Sequence, residues 1–245
     1  KHKRCIVDLA FSKPQTVSFQ FKQFLVDSKN LYPDYKANRK EKYKDQTEVE
    51  KKEFEVFMAE FANAFKRLED KGHLVIKQGG LEADDLAAWI VGKRSDFDIG
   101  EIWLISSDKD WDLLIQDGVS RFSTVTRKET TVDNWDEHYD FEPEHFLTFK
   151  CLAGDTGDNI PGISGIGPKR ATQLIEQYGD LYDIYNSCPI DSRYKYIQSL
   201  NENADQLLLN AELMDLESYS EQALIESGMD LEDLSSNVKE YLNDN

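Results

Sequence analysis

Two short stretches crowd carboxylates: Gly80-Leu81-Glu82-Ala83-Asp84-Asp85 and, further along, Ser106-Ser107-Asp108-Lys109-Asp110. Five acids gathered at one place repel one another unless a strong positive charge sits between them. A hard divalent cation such as Mg²⁺ answers that need, because it takes oxygen ligands and keeps several waters. The bland alternative is that Glu82, Asp84 and Asp85 only cap the helix that follows, where the dipole favours acids. One cluster alone does not separate the two readings. A second cluster, with more acids elsewhere, favours the metal site.

Each cluster follows a strand-like apolar run, His73-Leu74-Val75-Ile76 in one case and Ile102-Trp103-Leu104-Ile105 in the other. Cys5-Ile6-Val7 ends in Asp8, and the alternating stretch Val17 to Asp27 ends in Phe24-Leu25-Val26-Asp27. These four strand candidates each stop at or near an acid. The expected architecture is therefore α/β, a mostly parallel sheet with acids along the edge where such sheets bind ligands.

Helices are expected between and after the strands. Thr47-Glu48-Val49-Glu50 has the form of a capping box. It opens a long helix with Phe54, Phe57, Met58, Phe61, Phe65 and Leu68 on one face, read as core, and Gly72 ends it. Ala83 to Lys93 reads as a helix with Leu86, Ile90 and Val91 facing in, and Trp111 to Ile115 as a short one. Val119 to Val125 and Thr130 to Val132 read as strands joined around Arg127-Lys128. Glu142-Pro143 starts a helix through Phe146, Phe149 and Leu152 that stops at Gly154. From Leu181 the chain reads as helical and acidic, with Asp230 to Asn245 a surface helix or tail.

Two stretches carry the signature of nucleic acid. Leu31 to Lys44 interleaves cations with Tyr32, Tyr35 and Tyr43, a composition that holds phosphates and stacks on bases; the alternative is a solvated helix start. The second is Gly154-Asp155-Thr156-Gly157-Asp158-Asn159-Ile160-Pro161-Gly162-Ile163-Ser164-Gly165-Ile166-Gly167-Pro168-Lys169-Arg170. Gly165 and Gly167 permit a tight hairpin, Pro168 suits the first position of a helix, and Lys169 and Arg170 add charge at its mouth. That pattern matches a helix-hairpin-helix, which grips a phosphate backbone without reading bases. Its alternative is a plain helical corner.

Composition sets the limits. A chain of 245 residues with 40% hydrophobic and 11% aromatic residues can bury a substantial core. No stretch approaches a membrane span and no signal peptide is visible, so a membrane role is not expected and a cytoplasmic setting is. The three scattered cysteines suit a reducing compartment, and four scattered histidines argue against zinc. The formal net charge of −18 argues at first sight against a nucleic-acid partner, but acids assembled for metal add to it by design.

The ordered set Ile6-Val7-Asp8, Val26-Asp27-Ser28-Lys29, Tyr35-Lys36-Ala37-Asn38-Arg39, Glu82-Ala83-Asp84-Asp85, Ser107-Asp108-Lys109-Asp110-Trp111-Asp112 and Gly154 to Gly162 resembles the 5′ nuclease family. That family contains flap endonucleases and the 5′→3′ exonuclease domain of DNA polymerase I; the similarity is greatest to stand-alone flap endonucleases of T-odd bacteriophages. The resemblance implies a PIN-like catalytic domain over residues 1–140 with a helical arch at about 31–70. A helix-hairpin-helix and C-terminal helical region would follow over 141–245. Asp8, Asp27, Glu82, Asp84, Asp85, Asp108, Asp110, Asp155 and Asp158 would hold two Mg²⁺ ions, with Mn²⁺ as a substitute. Lys36 and Arg39 would contact the scissile phosphate and, with Asp84 and Asp108, carry the catalysis, while Tyr35 stacks. Lys150 and the hairpin at Gly165, Gly167, Lys169 and Arg170 would hold DNA, with K⁺ on backbone carbonyls of Ile163 and Ile166.

The implied activity is hydrolysis of DNA phosphodiesters at a 5′ flap, overhang or nick by a monomer, in the host cytoplasm if the chain is phage-encoded. One departure stands out. Between Asp8 and Asp27 the family has roughly twice as many residues, and a few are missing before Lys36. A segment is therefore expected to be absent near Phe11-Ser12, and a mass near 28.3 kDa for the expressed protein would contradict that. Three rivals remain open: a PIN-domain ribonuclease, a non-catalytic DNA-junction binder, and an acidic interaction protein. The hairpin speaks against the first, nine acids facing phosphates against the second, and the motif order against the third.

Overall fold

The computed structural model describes residues 3–8, as backbone, and 47–244. The expected strand Val17 to Asp27 and the Leu31 to Lys44 segment, with Tyr35, Lys36 and Arg39, lie outside the described residues. The sheet has the order β1 (Lys3–Asp8), β2 (Ile99–Ile105), β3 (Val119–Ser123), β4 (Lys128–Thr130). β1 and β3 run parallel to β2, and β4 returns antiparallel at the edge. The parallel register sets Asp8 opposite Ile105, so the carboxyl ends of β1 and β2 meet at one edge. β2 lies inside the sheet, and Ile102 and Leu104, two residues apart and so on one face, are fully buried.

His73 to Ile76 departs from expectation. It forms no strand among the described residues, although Leu74 and Ile76 pack against the core. Apolar character predicted its burial; a ladder requires a neighbouring edge as well.

Helix α1 (Glu48–Glu69) has the capping box, with both Thr47 and Glu50 bonds made. Among the described residues its aromatic stripe joins no buried cluster: Phe57 is 47% exposed, and Phe54, Phe57, Phe61 and Phe65 contact one another in succession along the helix, the last pair edge to face. Helix α2 (Ala83–Gly92) behaves as expected and buries Leu86 through Val91.

After Pro143–His145, a turn of 3₁₀ helix, come α3 (Phe146–Ala153) and a two-residue hairpin of β5 (Gly154–Asp155) and β6 (Ile160–Pro161). Then follow α4 (Pro168–Tyr178), α5 (Leu181–Ser187), α6 (Lys195–Glu202), α7 (Asp205–Met214), α8 (Leu216–Glu226) and α9 (Leu231–Asp244). One apolar core joins α3 to α4–α7. A second joins the sheet and α2 to Leu224, Leu234, Val238 and Leu242, and a smaller third gathers Ile115, Trp135 and Phe146. The last helix is thus not a surface tail: its apolar face, one residue per turn, closes the α/β core.

Candidate active site

The acids reach the sheet edge on three separate segments. Glu82 occupies the position before α2 but makes no side-chain capping bond, so the capping explanation fails there. Asp84 and Asp85 lie in the first turn, and Asp85 is only 7% exposed. The second segment leaves β2 at Ile105 and enters a 3₁₀ helix, Lys109–Leu114. Here Asp108 is the cap, accepting from the Asp110 N–H at 3.1 Å. The third is the β5–β6 turn, where Asp155 Oδ1 accepts from the N–H groups of Gly157 at 2.7 Å and Asp158 at 3.2 Å.

Two contacts tie the segments together. Trp111, itself 1% exposed, donates its indole N–H to Asp84 Oδ1 at 2.8 Å and so joins the first segment to the second. Lys150, from α3, joins the second to the third: its ammonium donates to Asp110 Oδ1 and to Asp155 Oδ2, the latter at 2.6 Å. The backbone of Asp8 ends on the same edge. Asp84, Asp108, Asp110 and Asp155 are thus linked into one assembly, with Glu82 and Asp85 in the turn that holds Asp84. Asp158 sits half-buried in the turn of Asp155. Asp27 lies outside the described residues.

One ammonium between two carboxylates leaves the pair short of charge. Burial pushes Asp110 above the ordinary carboxylate range even with Lys150 beside it, and Asp108 and Asp155 add repulsion. Burial also opposes ionisation of Asp155, but Lys150 and the N–H groups of Asp158 and Gly157 outweigh it and hold that acid low. Burial alone would lower Lys150; Asp110 and Asp155 raise it instead. Among the described residues, no three Asp, Glu, His or Cys side chains converge on one point. The donor chemistry nonetheless fits a hard divalent ion, because the oxygens of Asp110 and Asp155 already grip a cation in a half-buried setting.

A supporting network lies directly behind. Arg121, buried on β3, donates to both oxygens of Asp112 at 2.5 and 2.9 Å and to the Ser106 carbonyl at 3.2 Å. Tyr139 donates to the same Asp112 at 2.6 Å; burial and that carboxylate push its phenol far above the ordinary value. Ser106 and Asp112 bracket Asp108 and Asp110, so Arg121 clamps both ends of the acid-bearing loop. Sequence reasoning singled out none of Trp111, Arg121 and Tyr139 as site residues. One signal was available: a cation inside the strand Val119 to Ser123 has to find a buried carboxylate.

The β5–β6 turn depends on two glycines. A Cβ on Gly162 would meet the Ala153 carbonyl carbon at 2.3 Å, and one on Gly154, at φ +79°, would meet the Gly162 nitrogen at 2.2 Å. Backbone packed against backbone there fixes Asp155 over Lys150.

The hairpin has the expected form, with Gly165 at φ +80°, Gly167 extended before α4, and Pro168 first in the helix. Ile163 and Ile166 bury their side chains, and the Ile163 carbonyl accepts the Ile166 N–H at 2.9 Å. Lys169 and Arg170 are exposed at the mouth.

Residues 141–240 match the model of the family described as "5'-3' exonuclease, C-terminal SAM fold". The chain is 41% identical over 202 residues to the flap endonuclease of Escherichia phage T5, spanning 82% of this chain and 69% of that one. The chain belongs to the flap endonuclease family. A second flap endonuclease, Xni of Shewanella pealeana, is 30% identical over 65% of this chain and 57% of its own length. Among solved structures, the T5 flap endonuclease in a "pseudo-enzyme-product complex with DNA and metal ions" superposes with a TM-score of 0.78. The identity there is 38%, over 89% of this chain and 79% of that one. The PIN-like α/β fold with a helix-hairpin-helix region is the family's fold.

Proposed function

We propose that this flap endonuclease family member is a metal-dependent 5′ nuclease that hydrolyses DNA phosphodiesters next to a junction of single and double strand. Its substrate would be DNA with a 5′ flap, overhang or nick. The observation that carries the reading is the linkage of three acid segments by Trp111–Asp84 and by Asp110–Lys150–Asp155. A binding module has no use for a dense anionic edge facing phosphates.

Asp8, Asp27, Glu82, Asp84, Asp85, Asp108, Asp110, Asp155 and Asp158 are the proposed holders of two Mg²⁺ ions, for which Mn²⁺ would substitute. When bound, such ions lower the pKa of a water and stabilise the leaving oxygen. The chain's own part is to place and balance charge. Asp84 and Asp108 orient the reacting groups, and Lys36 and Arg39 offset charge that builds on the phosphate oxygens. Tyr35 offers a stacking face. Lys150 holds Asp110 and Asp155 in the absence of metal, and its ammonium is free for a phosphate once those acids are otherwise engaged.

Residues 141–245, with Gly165, Gly167, Lys169 and Arg170 at the hairpin, are proposed to grip the duplex, and residues 1–140 to cut it. A K⁺ ion on carbonyls of Ile163 and Ile166 would strengthen that grip. The Ile163 carbonyl has a second lone pair beyond the one that accepts the Ile166 N–H. The protein is proposed to act as a monomer in the cytoplasm, that of the host if phage-encoded; among the described residues no helix is long and apolar enough to cross a membrane.

The test is incubation of a 5′-labelled DNA flap with Mg²⁺ and with EDTA, beside an RNA flap of the same sequence. Release of a short 5′ product from DNA only when Mg²⁺ is present supports the reading. Cutting confined to RNA would assign a ribonuclease instead, and tight binding without cutting in any divalent metal would leave a junction binder.

A further inference from the structure

Asn210, on α7, is a fully buried amide that lies outside the acid assembly. A side-chain amide in such a place has given up its water and must find partners for two N–H groups and a carbonyl. Asn210 finds them far along the chain. Its Nδ2 donates to the Cys151 carbonyl and to the Pro161 carbonyl, each at 2.9 Å, across 59 and 49 residues. Gln206, one turn earlier on α7, donates its Nε2 to Asn210 Oδ1 at 2.8 Å, which fixes the way the amide points.

The two carbonyls sit at the roots of the contact between Lys150 and Asp155. Cys151 directly follows Lys150, and its carbonyl lies in the last turn of α3, where carbonyls have no partner within the helix. Pro161 pairs with Gly154 across the β5–β6 hairpin, and Gly154 directly precedes Asp155. These strands are two residues each, too short to fix their own geometry. The apolar core around them is non-directional and sets no particular spacing. The planar amide does: its two N–H groups diverge at a fixed angle, so the two carbonyls are held at one separation. The Lys150 Nζ to Asp155 Oδ2 distance of 2.6 Å is set in front of that clamp.

We propose that Asn210 is a positioning residue for the metal site: through the Cys151 and Pro161 carbonyls it places Asp155 against Lys150, and so sets the affinity of the acid edge for a divalent ion. The inference rests on the reading that Asp155 holds metal in a nuclease.

Three variants test it. Asn210→Leu keeps the volume and removes every donor; Gln206→Met leaves the amide without its orienting partner. Leu207→Ala opens a cavity at a fully buried position of the same helix and removes no bond to the hairpin. Each is compared with wild type below its melting temperature, by calorimetric titration of Mg²⁺ without DNA, by flap affinity in EDTA, and by single-turnover cleavage across a Mg²⁺ series. Asn210→Leu should bind Mg²⁺ about tenfold more weakly and need about tenfold more of it for half-maximal cleavage. Gln206→Met should shift both in the same direction by about threefold. Flap affinity in EDTA should stay within a few-fold for both, and Leu207→Ala, though less stable, should keep the wild-type affinity for Mg²⁺. An unchanged Mg²⁺ affinity in Asn210→Leu, or an equal loss in Leu207→Ala, overturns the proposal; if Asn210→Leu does not fold, an unchanged Gln206→Met overturns it. Loss of flap binding with Mg²⁺ affinity intact would assign the amide to the hairpin and overturn it too. Wild type that neither binds Mg²⁺ nor cuts overturns the functional reading itself.

Discussion

The Trp111 indole N–H lies 2.8 Å from Asp84 Oδ1, and this bond spans 27 residues of chain to join the acid turn before α2 with the one after β2. Side chains that orient a ligating carboxylate from behind tune the ion it holds, and their loss weakens metal affinity by about 10–100-fold. Trp111→Phe keeps the buried ring and removes only the donor. The expected cost in stability is about 1 kcal/mol. Calorimetric titration with Mg²⁺ checks the prediction: affinity should fall by about tenfold or more while the fold persists.

Lys150 supplies the second linkage. Lys150→Met removes a buried cation and leaves Asp110 and Asp155 facing one another, which should cost the metal-free protein about 3 kcal/mol. The acids relieved of the ammonium should then gain more from a divalent ion, so the rise in melting temperature on adding Mg²⁺ should be larger than in wild type. The loss should also depend on pH in a defined sense. Asp155 is depressed below its ordinary 3.8, so its part of the stabilisation is present above that value and lost as pH falls through the lower folded value. Lys150 is raised above its ordinary 10.5, so its part is present below that value and lost as pH rises through the higher folded one. Asp110 is raised and works against stability at neutral pH. Urea unfolding in EDTA should therefore show wild type and variant furthest apart between about pH 5 and pH 9, and drawing together as pH falls below 3.8 through the lower folded value of Asp155.

Behind the acid loop, Arg121 and Asp112 form a pair in which both members are almost fully buried. Breaking one side of such a pair is costly: Arg121→Met should lose about 3–5 kcal/mol, through the unpaired Asp112. Tyr139→Phe, which removes one donor to the same carboxylate, should lose only about 1–2 kcal/mol. Thermal and urea unfolding of the two variants checks the order. Equal effects would mean that Arg121 does not carry the loop.

Gly162 has no room for a side chain because its Cβ position lies 2.3 to 2.6 Å from the backbone of Ala153 and Gly154. Gly162→Ala should therefore open the β5–β6 turn and cost about 1–3 kcal/mol or more. Because that turn carries Asp155, the stabilisation by Mg²⁺ should shrink as well. A variant with normal melting and a normal response to metal would contradict this account of the turn.

Much of this architecture can be read from the chain because the signals are local. The capping box at Thr47, the stop at Gly154 and the helix from Pro168 to Tyr178 follow from residues within a turn of each boundary. The strand ends at Asp8 and Ile105 follow from apolar runs that stop at acids. What cannot be read is pairing at long range. The apolar run His73 to Ile76 looks like a strand, but a ladder depends on which edge lies next to it. The stripe of α1 has the periodicity of a core helix, and periodicity does not reveal which surface a stripe meets. The stripe of α9 is weaker in aromatics, yet it closes the main core. In the site, the acids are visible by type and spacing, while their orienters Trp111, Arg121 and Tyr139 look like ordinary core residues until the fold brings them behind the acids.

The most direct test of the acid edge is a comparison of Asp108→Asn/Asp110→Asn with wild type on a 5′-labelled DNA flap, measuring binding and single-turnover cleavage on the same samples. Loss of two carboxylates proposed to hold metal should remove most of the catalysis, a fall in rate of about 10³-fold or more, while flap affinity stays within a few-fold because the proposed contacts to DNA lie elsewhere. Cleavage at an undiminished rate by this variant, with Mg²⁺ still required, would contradict the assignment of Asp108 and Asp110 to the reacting centre.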